Sequence, residues 1–189
     1  MKKQPEVTEK TKQKFEDAFW ALAVEKPISK IAVSEIAKRA GYNRSTFYEY
    51  FVDTDDLLDK IETKLIEEVK QIIQPALPGI KSLESLFPMT FSAMNEKMYL
   101  LMGPNGDFAF LAKMKSELIP LIVSYIPIAA DNPNFDYIIC FVNAALFGLL
   151  QHWHEMGKNI DTEEICTIMR NLVLYGLCSY VNPAVQDYK

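Results

Sequence analysis

Glycine is scarce in this chain, with seven in 189 residues. A barrel or sandwich built on tight turns needs more residues of that conformational freedom. Cysteine is scarcer still, at three. An odd number spread along apolar stretches makes no disulfide framework and suits a reducing cytoplasm. The two histidines are His152 and His154. On a helix they point about 200° apart, so they cannot share a metal. His152 and Glu155 can face the same way, but two ligands are not a site. The chain has no glycine-rich phosphate loop, no nucleophile elbow and no paired catalytic carboxylates. Nothing in it therefore asks for an enzyme or a cofactor. The opening MKKQPEVTEKTKQK has no apolar core, so a signal peptide is not expected. The longest apolar stretch, residues 137 to 150, is interrupted by Asn143 and falls short of the roughly 20 residues a bilayer requires.

The hydrophobic content of 49% is ample for a buried core. The net charge of −5 looks unsuited to a polyanionic partner, but it is unevenly spread. Residues 1 to 51 hold ten Lys/Arg against seven Asp/Glu, and residues 52 to 189 hold ten against eighteen. An acidic rear keeps the molecule soluble and discourages wrong orientations while the front faces phosphate.

The front half is organised around residues 33 to 58, VSEIAKRAGYNRSTFYEYFVDTDDLL. Ile36, Ala37 and Ala40 recur at helical spacing. Gly41 then accepts the left-handed backbone that ends a helix. Asn43 can cap a second helix, from 44 to about 51, that buries Phe47 and Phe51. Asp53 caps a third, with Asp55 and Asp56 in its first turn. Helix, glycine turn, helix is the plan whose second helix enters the major groove. An ordinary helical hairpin shares that outline, and the composition of the second helix separates them. Its outward residues are Arg44, Ser45, Thr46, Tyr48, Glu49 and Tyr50. Hydroxyls, phenols and one arginine are poor helix formers but good donors to phosphates and base edges.

This pattern resembles the DNA-binding domain of the TetR family of transcriptional regulators. The resemblance rests on Ile36-Ala37, Ala40-Gly41, Thr46-Phe47-Tyr48, Phe51 and Leu57-Leu58, within residues 8 to 60. It implies an all-helical homodimer that represses transcription and leaves DNA when a small molecule enters its C-terminal domain. It also implies base contacts at Ser34, Arg44 and Ser45, and phosphate contacts at Thr46, Tyr48 and Tyr50. Thr54 stands where the family usually has a lysine, so that ionic contact is not carried over. Tyr42 replaces the usual small aliphatic residue, either packing inward or reaching the DNA backbone. Asn43 and Lys30 complete the candidate DNA-binding set.

Before this unit, Thr8 is expected to cap a first helix whose Phe15, Ala18, Phe19 and Leu22 share one face. Residues 1 to 7 read as a loose arm. Lys10, Lys12 and Lys14 form either a solvated face or a loose phosphate contact. Pro27 ends the helix, and Ile28 and Ile31 plug the small core. After it, a helix from 55 to about 74 carries Leu58, Ile61, Leu65, Val69 and Ile72 at helical spacing. At about 1.5 Å per residue it spans roughly 30 Å and links head to rear.

Residues 87 to 114 gather methionines and aromatics between Pro88, the turn at 103–106 and Pro120. Methionine packs adaptably, and kinked helices leave cavities, so the cluster is either plain core or a pocket for an apolar or aromatic molecule. The candidate lining is Phe91, Met94, Met98, Phe108, Phe110, Met114 and Phe141. Helices from 135 to about 156 and 162 to about 181 are apolar nearly all round and must be covered. Either the rest of the same subunit buries them or, since a chain this size has few other elements to do so, a second copy covers them in a symmetric four-helix bundle. Its candidate residues are Asn143, Ala144, Phe147, Gly148, Gln151, Ile168, Leu172 and Gly176. Cys140, Cys166 and Cys178 read as small core residues.

The expectation is an all-α chain with an N-terminal three-helix helix-turn-helix domain over residues 1–60. A C-terminal helical ligand-binding and dimerisation domain follows over 61–189. It is a cytoplasmic, ligand-responsive repressor whose homodimer binds double-stranded operator DNA. A helical ligand- or protein-binding module that has lost DNA binding is the rival, with Thr54 as its support.

Overall fold

The computed structural model describes residues 5–79, 86–123, 125 and 133–176. Nine α-helices and no strand occur among these residues. The first, α1 (Pro5–Glu25), begins before Thr8, so part of the expected loose arm is already helical. Its Phe15, Ala18, Phe19 and Leu22 are all buried, as their common face requires. A 3-10 turn, Ile28–Lys30, follows Pro27 and carries the buried Ile28, with Ile31 buried just beyond. Next come α2 (Val33–Ala40) and α3 (Arg44–Tyr48). The helical part of α3 stops short of Phe51, and the chain passes through a turn at Glu49 and Tyr50.

Phe15 is the hub of the small core. Its ring lies 5.2 Å from that of Phe47 and 6.1 Å from that of Phe51, both edge-on. Edge-to-face rings add about 0.5–1.5 kcal/mol beyond the area they bury. Two ion pairs tie the end of α1 to α2. Arg39 grips Glu25 with both guanidinium nitrogens, at 2.6 and 3.1 Å. Lys26 Nζ donates to Glu35 Oε2 at 2.5 Å, and the same carboxylate accepts from the Ala32 N–H at 3.1 Å. The Arg39 hydrogen bond holds Glu25 below the usual carboxyl range, and the Lys26 hydrogen bond does the same for Glu35.

The long helix α4 (Thr54–Ile73) starts as expected, with Asp53 Oδ1 accepting from the Asp56 N–H at 2.8 Å. Asp56 in turn accepts from the Val52 N–H at 2.9 Å and from Lys60. Lys60 and that N–H hold the Asp56 carboxyl below its ordinary value. Leu57, Leu58, Ile61, Leu65, Ile66, Val69 and Ile73 are buried. Ile72, expected inside, is exposed, because Ile73 takes the inward position on that turn.

The remaining helices are α5 (Leu86–Ala93), α6 (Glu96–Met102), α7 (Phe108–Val123), α8 (Phe135–Glu155) and α9 (Thr162–Tyr175). Pro88 lies in the first turn of α5, where its missing N–H costs nothing. Pro120 stays within α7. Asp161 caps α9, accepting from the Glu164 N–H at 2.8 Å. Residues 177–189, where the last helix was expected to continue and where Cys178 falls, lie outside the described residues.

By contacts the chain forms two compact units. Among the described residues, one holds those up to Val69 together with Asn95–Glu117, and the other holds those of Lys70–Met94 and those from Leu118 on. In the first unit the turn at 103–106 meets the head, with Asn105 O accepting from the Ile28 N–H at 2.9 Å. Met98, Phe110 and Met114 are fully buried there. In the second, the ring of Phe91 packs edge-on to Trp153 at 5.7 Å, and Trp153 donates to Ile160 O at 2.9 Å.

The 21-residue α8 is long and apolar enough, by length and composition alone, to cross a membrane. The apolar run 137–150 alone falls short of a bilayer's thickness, but the helix outruns that run at both ends. Its outer stripe is bare: Tyr137, Cys140, Phe141, Ala144 and Gly148 are exposed. Cys140 is therefore no core residue, and Cys166 on α9 is only partly covered.

Candidate nucleic-acid interface

The turn between α2 and α3 is built as its residues dictate. Gly41 has φ 78° and its N–H returns to Ala37 and Lys38 carbonyls, closing α2. A side chain there is strained by the left-handed backbone alone, since nothing lies within 4 Å of its would-be Cβ. Asn43 opens α3, its Oδ1 accepting from the Thr46 N–H at 2.9 Å.

That oxygen also accepts from Ser45 Oγ at 2.6 Å and from Thr46 Oγ1 at 2.9 Å. Asn43 therefore fixes the two hydroxyls beside it as well as the helix end. The asparagine cap is legible in the sequence, whereas its grip on both hydroxyls is a finding of the structure. The spacing Asn-x-Ser-Thr was the available signal. Replacing Asn43 with Ala is expected to cost about 1 kcal/mol of stability through the lost cap. It should also weaken DNA binding by unfixing Ser45 and Thr46. Thermal melts and DNA titrations of the variant check the two effects separately.

The face of α3 divides as its sequence divides. Phe47 is fully buried, while Arg44, Ser45 and Tyr48 are exposed, with Tyr48 half uncovered at 51%. Thr46 and Tyr50 are half-buried. The ring of Tyr50 lies 6.4 Å from Phe15, which leaves its outer edge on the surface. Ser34, near the start of α2, and Lys30, in the 3-10 turn, are both exposed. Tyr42 packs inward: its ring is 5.3 Å from Phe15, and Lys14 Nζ sits 5.5 Å above it. Thr54 is the first residue of α4 and half-buried. The links from Val52 and Asp53 to Asp56 fix the end of the α3 segment to the start of α4.

The candidate pocket residues do not fall together in one unit. Met98, Phe110 and Met114 belong to the first, and Phe91, Met94 and Phe141 to the second. Phe141 is 60% exposed. The Phe108 side chain lies outside the described residues. A separate open cleft of about 430 Å³ lies in the second unit, between Phe87 and Pro88 of α5 and Thr162, Glu163, Cys166, Thr167 and Arg170 of α9.

Of the candidate interface residues, Ala144 and Gly148 are exposed, while Asn143, Phe147, Gln151, Ile168, Leu172 and Gly176 are partly covered. Asn143 donates to Ile139 O at 2.8 Å, so its amide group is satisfied within its own helix. Among the described residues, no cluster of three or more His, Cys, Asp or Glu is placed to hold a metal.

A capped, hydroxyl-rich second helix over a phenylalanine core, ahead of a longer helical body, is the layout of a helix-turn-helix transcriptional regulator. Residues 17–61 match the model of bacterial regulatory proteins of the tetR family. Residues 83–175 match the model of a transcriptional regulator C-terminal region, so the two matches together cover well over half the chain. The chain belongs to the TetR family. It is 25% identical over 159 residues to the uncharacterized HTH-type transcriptional regulator YhgD of Bacillus subtilis, covering 75% of this chain and 83% of that one. Two solved structures share the fold. The fatty acid degradation regulator FadR from Bacillus halodurans superposes with a TM-score of 0.66 at 18% identity, over 94% of this chain and 98% of that one. The TetR-like regulator LfrR from Mycobacterium smegmatis, in complex with proflavine, does so at 0.52 and 18%, over 88% and 96%.

Proposed function

We propose that this regulator is a cytoplasmic repressor that binds a palindromic operator as a homodimer and is released by a small apolar or aromatic molecule. Residues 1–60 act as the DNA-binding domain and residues 61–189 as the ligand-binding and dimerisation domain. The reading rests on one observation above others. Arg44, Ser45 and Tyr48 are exposed on a helix whose inner Phe47 is fully buried. A helix held from behind in this way presents those groups without spending binding energy on ordering them. Arg44, Ser45 and Ser34 read base edges. Thr46, Tyr48, Tyr50 and Lys30 grip phosphates, and Tyr42 and Asn43 support them from below.

The bare stripe of α8 supports the dimer, because a helix apolar on its outer face needs a cover. A second copy brings two reading helices to successive major grooves, about 34–36 Å apart. The long α4 carries the control. The ligand contacts are proposed within the second unit, which holds Phe91, Met94 and Phe141 and the open cleft between α5 and α9. The structural neighbour LfrR is in complex with proflavine, which supports a small-molecule ligand. No enzymatic step is assigned to the chain.

Fluorescence anisotropy with DNA from upstream of the protein's own operon tests the reading. Binding should weaken steeply as salt rises, because phosphate contacts release counterions. Proflavine is a suitable first probe of release. A tenfold loss of operator affinity needs about 1.4 kcal/mol of preference for the DNA-free form. A ligand that binds tightly and leaves operator affinity unchanged contradicts the release mechanism. Failure to bind any upstream DNA favours the helical binding module without DNA contact.

A further inference from the structure

Two polar or charged side chains are buried among the described residues, Thr11 and Glu62. Thr11 is accounted for, since its hydroxyl donates to Val7 O at 2.8 Å. Glu62, halfway along α4 and 5% exposed, is not. Its Oε1 finds no hydrogen-bond donor, and its Oε2 lies 3.4 Å from Lys113 Nζ on α7. That ammonium is committed elsewhere, at 2.7 Å from Asp59 Oδ1, 3.1 Å from Thr63 Oγ1 and 3.2 Å from Asp59 O. Asp107, just before α7, acts on the same carboxyl, raising it through its charge and through a side-chain hydrogen bond. Asp107 in turn accepts from the Ala109 N–H at 2.8 Å, at the start of α7.

We propose that Glu62 holds a proton and donates it in a hydrogen bond to Asp107, tying α4 to the start of α7, and that loss of this proton loosens α4 and weakens operator binding. A buried carboxylate with one oxygen lacking a donor and the other held only at 3.4 Å, beside a second carboxylate, is costly, and one shared proton removes both faults. The proton turns the unsatisfied oxygen into a donor and leaves Asp107 as its acceptor. Lys113 does not replace it, because Asp59 and Thr63 hold it more closely. Burial pushes the Glu62 carboxyl up, Lys113 opposes this, and the Asp107 charge adds to the rise, leaving it at about 7. The tie sits on the helix whose first turn is fastened to the end of α3 through Val52, Asp53 and Asp56.

Because its folded value lies above the ordinary 4.5, this group contributes stability in full below about pH 4.5 and loses it as pH climbs through 7. Glutamine at this position keeps a donor and cannot ionise.

The test uses the full chain with carbon-13 in its glutamate carboxyls, the Glu62 signal being assigned by its loss in Glu62→Gln. We expect Glu62 to titrate near neutral pH, and to titrate lower in Asp107→Asn. The melting temperature of the native chain should fall relative to that of Glu62→Gln between pH 5.5 and 8.5. If Glu62→Gln fails to fold, the shift in Asp107→Asn carries the test, with Glu62 assigned by through-bond correlation. Titration in the ordinary carboxyl range, or no change in Asp107→Asn, overturns the shared proton.

The link to DNA rests on the operator-binding reading above and is measured separately. The ratio of operator affinity at pH 6 to that at pH 8 should be larger for the native chain than for Glu62→Gln. Equal ratios overturn the link to DNA. The titration needs no DNA, so its failure is distinct from failure of the operator reading.

Discussion

A glutamate placed at Ala144 or Gly148 is expected to leave a folded monomer that binds operator DNA at least about a hundredfold more weakly. Both positions are exposed within one chain, so the charge meets no neighbour inside the subunit and the fold survives. In the proposed dimer the same positions are where two copies of α8 approach, and only small residues allow that approach. A carboxylate there is desolvated against an apolar partner, at a cost of several kcal/mol. Losing the second subunit removes the second half-site contact, and linked sites gain roughly 10²–10⁴ in affinity over single ones. Sedimentation of Ala144→Glu should show one chain per particle, with helical content retained by circular dichroism. A variant that stays dimeric with full operator affinity would move the interface away from α8.

The second large effect concerns what Arg44 and Tyr48 each do. Arg44→Ala should cost about 1–3 kcal/mol on the preferred operator and much less on unrelated DNA, so that sequence preference relaxes. Tyr48→Phe removes one hydroxyl and should weaken all sequences by a similar, smaller factor, as loss of a phosphate contact does. Both side chains are exposed and neither supports the Phe15–Phe47–Phe51 core, so stability should hardly change. Competition titrations with operator and random DNA separate the two roles. If neither substitution alters binding, α3 is not the reading helix.

The head was legible in the sequence because its signals are local. Gly41 closes α2 through its own backbone, Asn43 caps three residues ahead, and Asp53 does the same for α4. Phe15, Ala18, Phe19 and Leu22 show their common face by spacing alone. The failures are of another kind. Ile72 and Ile73 are adjacent apolar residues, and only packing decides which one points inward. Cys140 lies in an apolar helix, yet its side faces out, because periodicity is lost where nearly every position is apolar. The Arg39–Glu25 clamp joins residues fourteen positions apart, and the Glu62–Lys113 contact joins residues fifty-one apart. Charges spaced so widely carry no periodic mark. Methionine and phenylalanine cluster along the chain and so suggest one pocket, whereas Met98 and Phe91 fall in different compact units.

Operator recognition of the proposed kind requires two copies of α3 lying in successive major grooves. Hydroxyl-radical footprinting of the full chain on its upstream DNA addresses this directly. Two protected patches, centred about 10–10.5 base pairs apart on one face of the duplex and both lost in Arg44→Ala, are the result predicted. A single patch, or protection that Arg44→Ala leaves intact, would contradict it.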